Sequence, residues 1–161
     1  MKKAFVYTVV FVISTAMFLS AEQPSDSPRL RFINAAYKYL KTPYKYASAD
    51  KTGMDCSGLV YRASLDSVNI TLPRTASGIA SFAERINEAD IQPGDLLFFN
   101  TSGTADNTIS HIGIYIGAGE FIHSASSGPT TGVIISSLEE KYWKACYRFA
   151  GRILLKEAIF K

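Results

Sequence analysis

The hydrophobic period of this chain changes once, and that change narrows the possible folds more than any other feature. Up to about residue 85, apolar side chains recur at helical spacing. From Leu96 onward they alternate, or run in short blocks, between glycine-rich turns. Ser27-Pro28 fits an N-cap followed by a first-turn proline, and Leu30, Ile33, Ala36, Tyr37 and Leu40 then share one helical face, with Thr42-Pro43 as the stop. Further helices are predicted over Ser57–Leu65 and Thr75–Arg85. Strands are predicted over Leu96–Phe99, Ser110–Ile116, Glu120–Ala125, Val133–Ser136 and Tyr147–Leu155. Ser137-Leu-Glu-Glu140 has the form of a capping box opening a short helix. Helices first and a meander of strands afterwards indicate an α+β fold and not a parallel α/β one.

The first residues follow a different rule. Met1-Lys-Lys precedes an apolar stretch from Ala4 to Leu19, interrupted only by Thr8, Ser14 and Thr15. Sixteen residues is short for a bilayer-spanning helix and suits the apolar core of a signal peptide. Residues 1–21 read as that signal, with cleavage after Ala21; Leu19 is bulkier than the usual small residue of a cleavage site, and an uncleaved anchor is the alternative. Residues 22–28 read as a short linker and 29–161 as one domain. The expected product is exported to the periplasm or the cell exterior, with no stable membrane anchor once the signal is removed.

Composition excludes several function classes. Beyond residue 21 there are 15 basic and 14 acidic residues, a near-neutral balance without the electrostatic footprint of a nucleic-acid partner. The two cysteines and two histidines, Cys56, His111, His123 and Cys146, show no paired metal-ligand spacing, so no metal site is expected. There is no GxSxG elbow, no phosphate-binding glycine loop and no carboxylate pair that stands out. No cofactor is expected.

Cys56 stands where a turn, Gly53-Met-Asp55, runs into a helix-compatible segment. A thiol at a helix N-terminus meets unpaired backbone N–H groups and the positive end of the dipole, both of which favour the nucleophilic thiolate. The same N–H groups suit the oxyanion of a tetrahedral intermediate. An inert buried cysteine, or a disulfide with Cys146, remains open on the local sequence alone. His111 shares a strand face with Gly113 and Tyr115. If Gly117-Ala118-Gly119 forms a three-residue hairpin loop, Ile116 opposes Glu120 and Gly113 opposes His123. That register puts His123 one diagonal step from His111 on the same face. Cysteine, histidine and a second polar group that orients the histidine are the parts of a thiol hydrolase.

Six segments in order carry a resemblance: Thr42-Pro-Tyr44, Asp55-Cys-Ser-Gly-Leu-Val60, Leu72-Pro-Arg-Thr75, Gln92-Pro-Gly-Asp-Leu-Leu-Phe-Phe99, His111-Ile-Gly-Ile-Tyr-Ile-Gly117 and Phe121-Ile-His123. Over about Leu30 to Gly151 the chain resembles the NlpC/P60 family of bacterial cell-wall cysteine endopeptidases. The resemblance implies a papain-like α+β fold with the cysteine helix packed on an antiparallel sheet. It implies Cys56 as nucleophile, His111 as base and His123 as the third polar residue, with Tyr44, Asp55 and Ser57 lining the substrate cleft. The implied substrates are peptidoglycan stem peptides, commonly cut between D-γ-glutamate and a diamino acid. Separately, the protein is expected to be a monomer. Two positions depart from the family pattern: Ala47-Ser48-Ala49 replaces a Gly-Gly, and Ile79 replaces a frequent glutamine. Both bear on substrate preference. An amidase or acyltransferase on a related fold, and a catalytically inactive wall-binding protein, are the rival readings.

Overall fold

The computed structural model describes residues 27–153. The signal segment, most of the linker and the end of the last expected strand lie outside the described residues. Helix α1 spans Pro28–Tyr37; the Ser27 side chain accepts from the Leu30 N–H, so Ser27 and Pro28 belong to the helix start and not to the linker. A two-stranded ribbon, β1 (Ala49–Asp50) and β2 (Gly53–Met54), leads into α2 (Cys56–Val68), which ends at Asn69 in the left-handed conformation. Helix α3 (Ala76–Phe82), strand β3 (Glu84–Ile86) and a single 3₁₀ turn (Glu88–Asp90) follow. The remainder is β4 (Leu96–Phe99), β5 (His111–Gly117), β6 (Glu120–Ala125), β7 (Gly132–Ser137), α4 (Lys141–Cys146) and β8 (Tyr147–Arg152). The six strands β3-β8-β4-β5-β6-β7 form one antiparallel sheet. The expected α+β class therefore holds.

Strand alternation divides the sheet into two faces with separate cores. Leu96, Phe98, Ile112, Ile114 and Ile122 pack with Phe32, Ala36, Leu59 and Val60 of α1 and α2. Leu97, Phe99, Phe121 and Ala150 pack with Trp143 of α4. The face of α1 differs from the expected one. Phe32, Ile33, Ala35, Ala36 and the following Tyr39 are buried, whereas Tyr37 is exposed. The helix ends at Tyr37, so Leu40 is not on it, and Phe32 and Tyr39 offer more area to bury. Tyr39 also donates a hydrogen bond from its hydroxyl to Asp66 on α2, at 2.5 Å.

Other boundaries moved for local reasons. The expected third helix stops at Phe82, because Glu84–Ile86 extends the sheet edge against β8. At residues 137–140 half of a capping box forms: Glu140 accepts from the Ser137 N–H at 2.8 Å, but the helix itself starts at Lys141.

Asp95, fully buried, ties the layers together. Its carboxylate accepts from Arg29 on α1, from both Nε and Nη2 of Arg152 on β8, and from the Gln92 N–H, each at 2.8 Å. Burial alone raises its pKa, but the hydrogen bonds from Arg152, Gln92 and Arg29 outweigh it and hold the group below the usual carboxylate range. Removing one partner of a buried ionic cluster leaves the others uncompensated. Asp95→Asn is expected to lose about 3 kcal/mol or more of stability in urea denaturation, and a loss under ~1 kcal/mol would show that the cluster contributes little.

Candidate active site

Cys56 is the first residue of α2, immediately after the N-cap. Asp55 has extended backbone, φ −85° and ψ 178°, and its Oδ1 accepts from the Gly58 N–H at 2.6 Å. Arg74 binds the same carboxylate, Nη2 to Oδ2 at 3.2 Å, and also donates to Ser57 Oγ and the Ser48 carbonyl. Gly58 is needed here for space: a Cβ at this position would lie 2.1 Å from the Ser48 carbonyl oxygen. The 44–48 segment is thereby held against the first turn of α2, forming one wall of a cleft of about 490 Å³. Cys56, Tyr44, Tyr46, Asp55, Ser57 and Arg74 all line it.

The thiol experiences opposing influences. Burial, followed by the nearby Asp55 carboxylate, pushes it up to about 11, while backbone N–H groups of Ile112, Ser57 and Cys56 itself pull the other way. The contact with Ile112 puts the thiol at the start of β5, next to His111 in sequence. Tyr44 is raised by burial and then by Cys56 and Asp55, as befits a phenol on the cleft wall beside both.

The two histidines meet as the diagonal argument requires, by a different turn. The loop between β5 and β6 has two residues, not three: Ala118 and Gly119, both with positive φ. Taken alone, that shorter loop would shift the register. A bulge between Tyr115 and Gly117 restores it, so Gly117 opposes Glu120 while Tyr115 still opposes Phe121 and Ile114 opposes Ile122. The extra residue is absorbed in the strand instead of the loop. Gly113 does leave the space beside the pair, since a Cβ there would lie 2.6 Å from the Phe121 ring and 3.3 Å from His123 Cβ.

His111 Nε2 lies 3.0 Å from His123 Nδ1, and His123 Nε2 lies 3.1 Å from Ser136 Oγ on β7. With Nε2 engaged, Nδ1 is the nitrogen of His111 left for a thiol. Trp143 covers both rings, stacked on His111 with centroids 5.2 Å apart and edge-on to His123 at 4.6 Å. Burial drives His111 down to about 4. Burial, and secondarily the neighbouring His111, drives His123 down to about 2. Both imidazoles are neutral at pH 7 and above.

A pH dependence of stability follows. In the unfolded chain each imidazole binds a proton near pH 6.5, whereas the folded protein refuses it until about pH 4 or lower. Folding is therefore disfavoured as pH falls, by about 1.4 kcal/mol per pH unit for each histidine between pH 6 and 4. The full contribution is present only above the unfolded pKa. Urea midpoints measured from pH 7.5 to 4.5 are expected to fall, less steeply in His123→Gln. A flat profile would mean that the rings accept protons in the folded state.

The pattern described as the NlpC/P60 family matches residues 41–152, well over half of the chain. The chain belongs to the NlpC/P60 family. It is 38% identical over 130 residues to the murein DD-endopeptidase MepH of Escherichia coli, covering 79% of this chain and 46% of that protein. It is 40% identical over 114 residues to the gamma-DL-glutamyl hydrolase of Bacillus subtilis, covering 70% of this chain and 26% of the relative. The chain thus spans about half the length, or less, of these two relatives. Among solved structures, an NlpC/P60 family protein from Bacillus cereus superposes with a TM-score of 0.69 at 28% identity, over 77% of this chain and 39% of that one. The NlpC/P60 fold expected from the motifs is the fold of this chain.

Several residues that surround the thiol and the two histidines have no role in the sequence reading. Ser136 and Trp143 lie in no motif, and Arg74 was visible in Leu-Pro-Arg-Thr without a role. The two departures from the family pattern also separate. Ala47 lines the cleft with φ +56°, beside the highly exposed Tyr46, and so shapes the wall. Ile79 is fully buried in the α1/α2 core, so its side chain is packing and not cleft surface. Cys146 packs against the other core, and both cysteines are free thiols.

Proposed function

We propose that this chain is an exported cysteine peptidase that hydrolyses peptide bonds in peptidoglycan stem peptides through an acyl-enzyme. The observation that carries the reading is the thiol at the start of α2, in a cleft and against the start of β5, where His111 has Nε2 engaged and Nδ1 left over. Cys56 gives its proton to His111 Nδ1 as Sγ attacks the scissile carbonyl. The oxyanion forms beside the backbone N–H groups at the N-terminus of α2, where the helix dipole favours negative charge. The imidazolium of His111 then protonates the leaving amine, leaving a thioester. Water, deprotonated by the same nitrogen, releases the acid and restores the thiol. Burial works against charge on both partners and so favours a neutral thiol–imidazole pair before attack.

Tyr44, Asp55 and Ser57 line the cleft as substrate-contacting residues in this reading. The Asp55–Arg74 pair presents both signs of charge to a zwitterionic peptide. The scissile bond is proposed to join D-γ-glutamate to a diamino acid. A D,D-bond in a cross-link is the second reading, favoured by the name of the E. coli relative. Both place the substrate, and hence the protein, in the periplasm or cell wall, with residues 1–21 removed as a signal. Digestion of purified monomeric and cross-linked muropeptides, followed by mass spectrometry, tests this directly. Shortened stems from monomers are expected for the γ-glutamyl bond, and monomers released from dimers for the D,D-bond. Release of intact stem from the sugar would instead make the chain an amidase.

A further inference from the structure

The diagonal step that joins His111 to His123 repeats once more across the next strand pair. His123 opposes Ile134 on β7, and Ser136, two residues on, stands one diagonal step away on the same face. The result is a line of three polar groups across β5, β6 and β7: His111 Nε2, His123 Nδ1 and Nε2, and Ser136 Oγ, with separations of 3.0 and 3.1 Å. His123 is 0% exposed and Ser136 is 8% exposed, so neither nitrogen of His123 can readily exchange its partner for bulk water. On its outer side Ser136 contributes to the wall of a second groove, of about 450 Å³, bounded also by Pro129, Ile135, Glu140 and Tyr142.

We propose that Ser136 is a positioning residue for catalysis, holding His123 in the tautomer that keeps His111 Nδ1 free of a proton. The inference rests on the cysteine–histidine reading above and extends it by one residue. When the thiol proton reaches His111 Nδ1, the imidazolium carries protons on both nitrogens. Its Nε2–H then has to donate, so His123 Nδ1 has to accept. A neutral His123 that accepts at Nδ1 carries its proton on Nε2, and that proton points at Ser136 Oγ. Ser136 therefore accepts. No proton moves along the line during the reaction; it fixes where each one rests. In the reverse arrangement Ser136 donates to His123 Nε2, His123 Nδ1–H donates to His111 Nε2, and the His111 proton sits on Nδ1, where it blocks the base. A residue without an oxygen at position 136 leaves His123 Nε2 unpaired in either tautomer, and it favours the blocked form because a buried N–H without a partner costs more than a bare ring nitrogen.

Thr and Val have the same shape, and only Thr keeps the oxygen. Ser136→Thr is expected to retain kcat within about threefold, while Ser136→Val and Ser136→Ala lose roughly 10- to 100-fold in kcat. KM should stay within about twofold, because the substrate cleft lies elsewhere. Equal losses in the Thr and Val variants would mean that packing alone matters, and would overturn the proposal. So would full activity in Ser136→Val. The wild-type protein supplies a test that does not depend on any variant folding. In its imidazole ¹⁵N spectrum near pH 7, His123 is expected to show a protonated Nε2 and a bare Nδ1; the opposite tautomer overturns the proposal. These outcomes are separable from failure of the functional reading, which would appear as stem-peptide cleavage surviving in His111→Ala.

Discussion

Cys56→Ala is expected to lower stem-peptide hydrolysis by roughly four orders of magnitude or more while the fold remains intact. The size of the effect follows from the chemistry. Without sulfur no covalent intermediate forms, and the remaining groups can only assist a water molecule. The mild structural effect follows from position: Cys56 is partly exposed to the cleft, and its place at N1 of α2 requires no side-chain hydrogen bond. Circular dichroism and the urea midpoint should be near wild type. Cys146→Ala is expected to keep most of its turnover, since its side chain packs at the edge of the second core and does not line the Cys56 cleft. Mass spectrometry of non-reduced active protein should show two free thiols; a Cys56–Cys146 bond in active protein would contradict the assignment.

The second large effect separates the histidines. Any substitution of His111 should abolish activity, because Gln and Asn cannot carry the proton from thiol to leaving amine. In the proposed tautomer His123 accepts from His111 on one side and donates to Ser136 on the other, and a glutamine amide offers one group of each kind. His123→Gln should therefore keep roughly a tenth of wild-type activity, and His123→Ala about a hundredth or less. The acid limb of kcat/KM carries the same information. Burial holds His111 down to about 4, so the base stays neutral and competent well below the pH 6.5 of a free imidazole, and activity should fall only as pH approaches 4. If His123→Gln is as inactive as His111→Ala, His123 takes part in proton transfer itself. An acid limb near 6.5 would mean that His111 is not held neutral by its surroundings.

Much of the site could be read in the sequence because its parts are locally encoded. Ser27-Pro28 is a helix start whose cap depends only on neighbouring residues, and Cys56 stands at a helix start; both form as expected, while the Asp55 cap is a finding of the structure. The meeting of His111 and His123 needs only strand alternation and a hairpin register. The register survived although the loop is shorter than expected, because the bulge after Tyr115 supplies the missing residue. Such compensation cannot be seen in the pattern Gly-Ala-Gly, which suits either turn. What lay beyond reach depends on contacts between distant segments. Glu84–Ile86 is short and largely exposed, and becomes a strand only because β8 offers it an edge. Trp143 and Ser136 stand in stretches without a motif, and their roles arise from α4 folding back over β5 and β6 and from the diagonal geometry of β7. The burial face of α1 was misjudged because ten residues hold less than three turns, and the neighbours decide which side is covered.

Hydroxylamine partitioning is the most direct measurement of covalent catalysis by Cys56. A thioester on Cys56 can be captured by this nucleophile in competition with water, so digestion of muropeptides in its presence should yield the stem-peptide hydroxamate beside the free acid. The hydroxamate fraction should rise with hydroxylamine concentration, and Cys56→Ala should give neither product. Free acid alone at every concentration, or cleavage that persists in Cys56→Ala, would contradict an acyl-enzyme on Cys56.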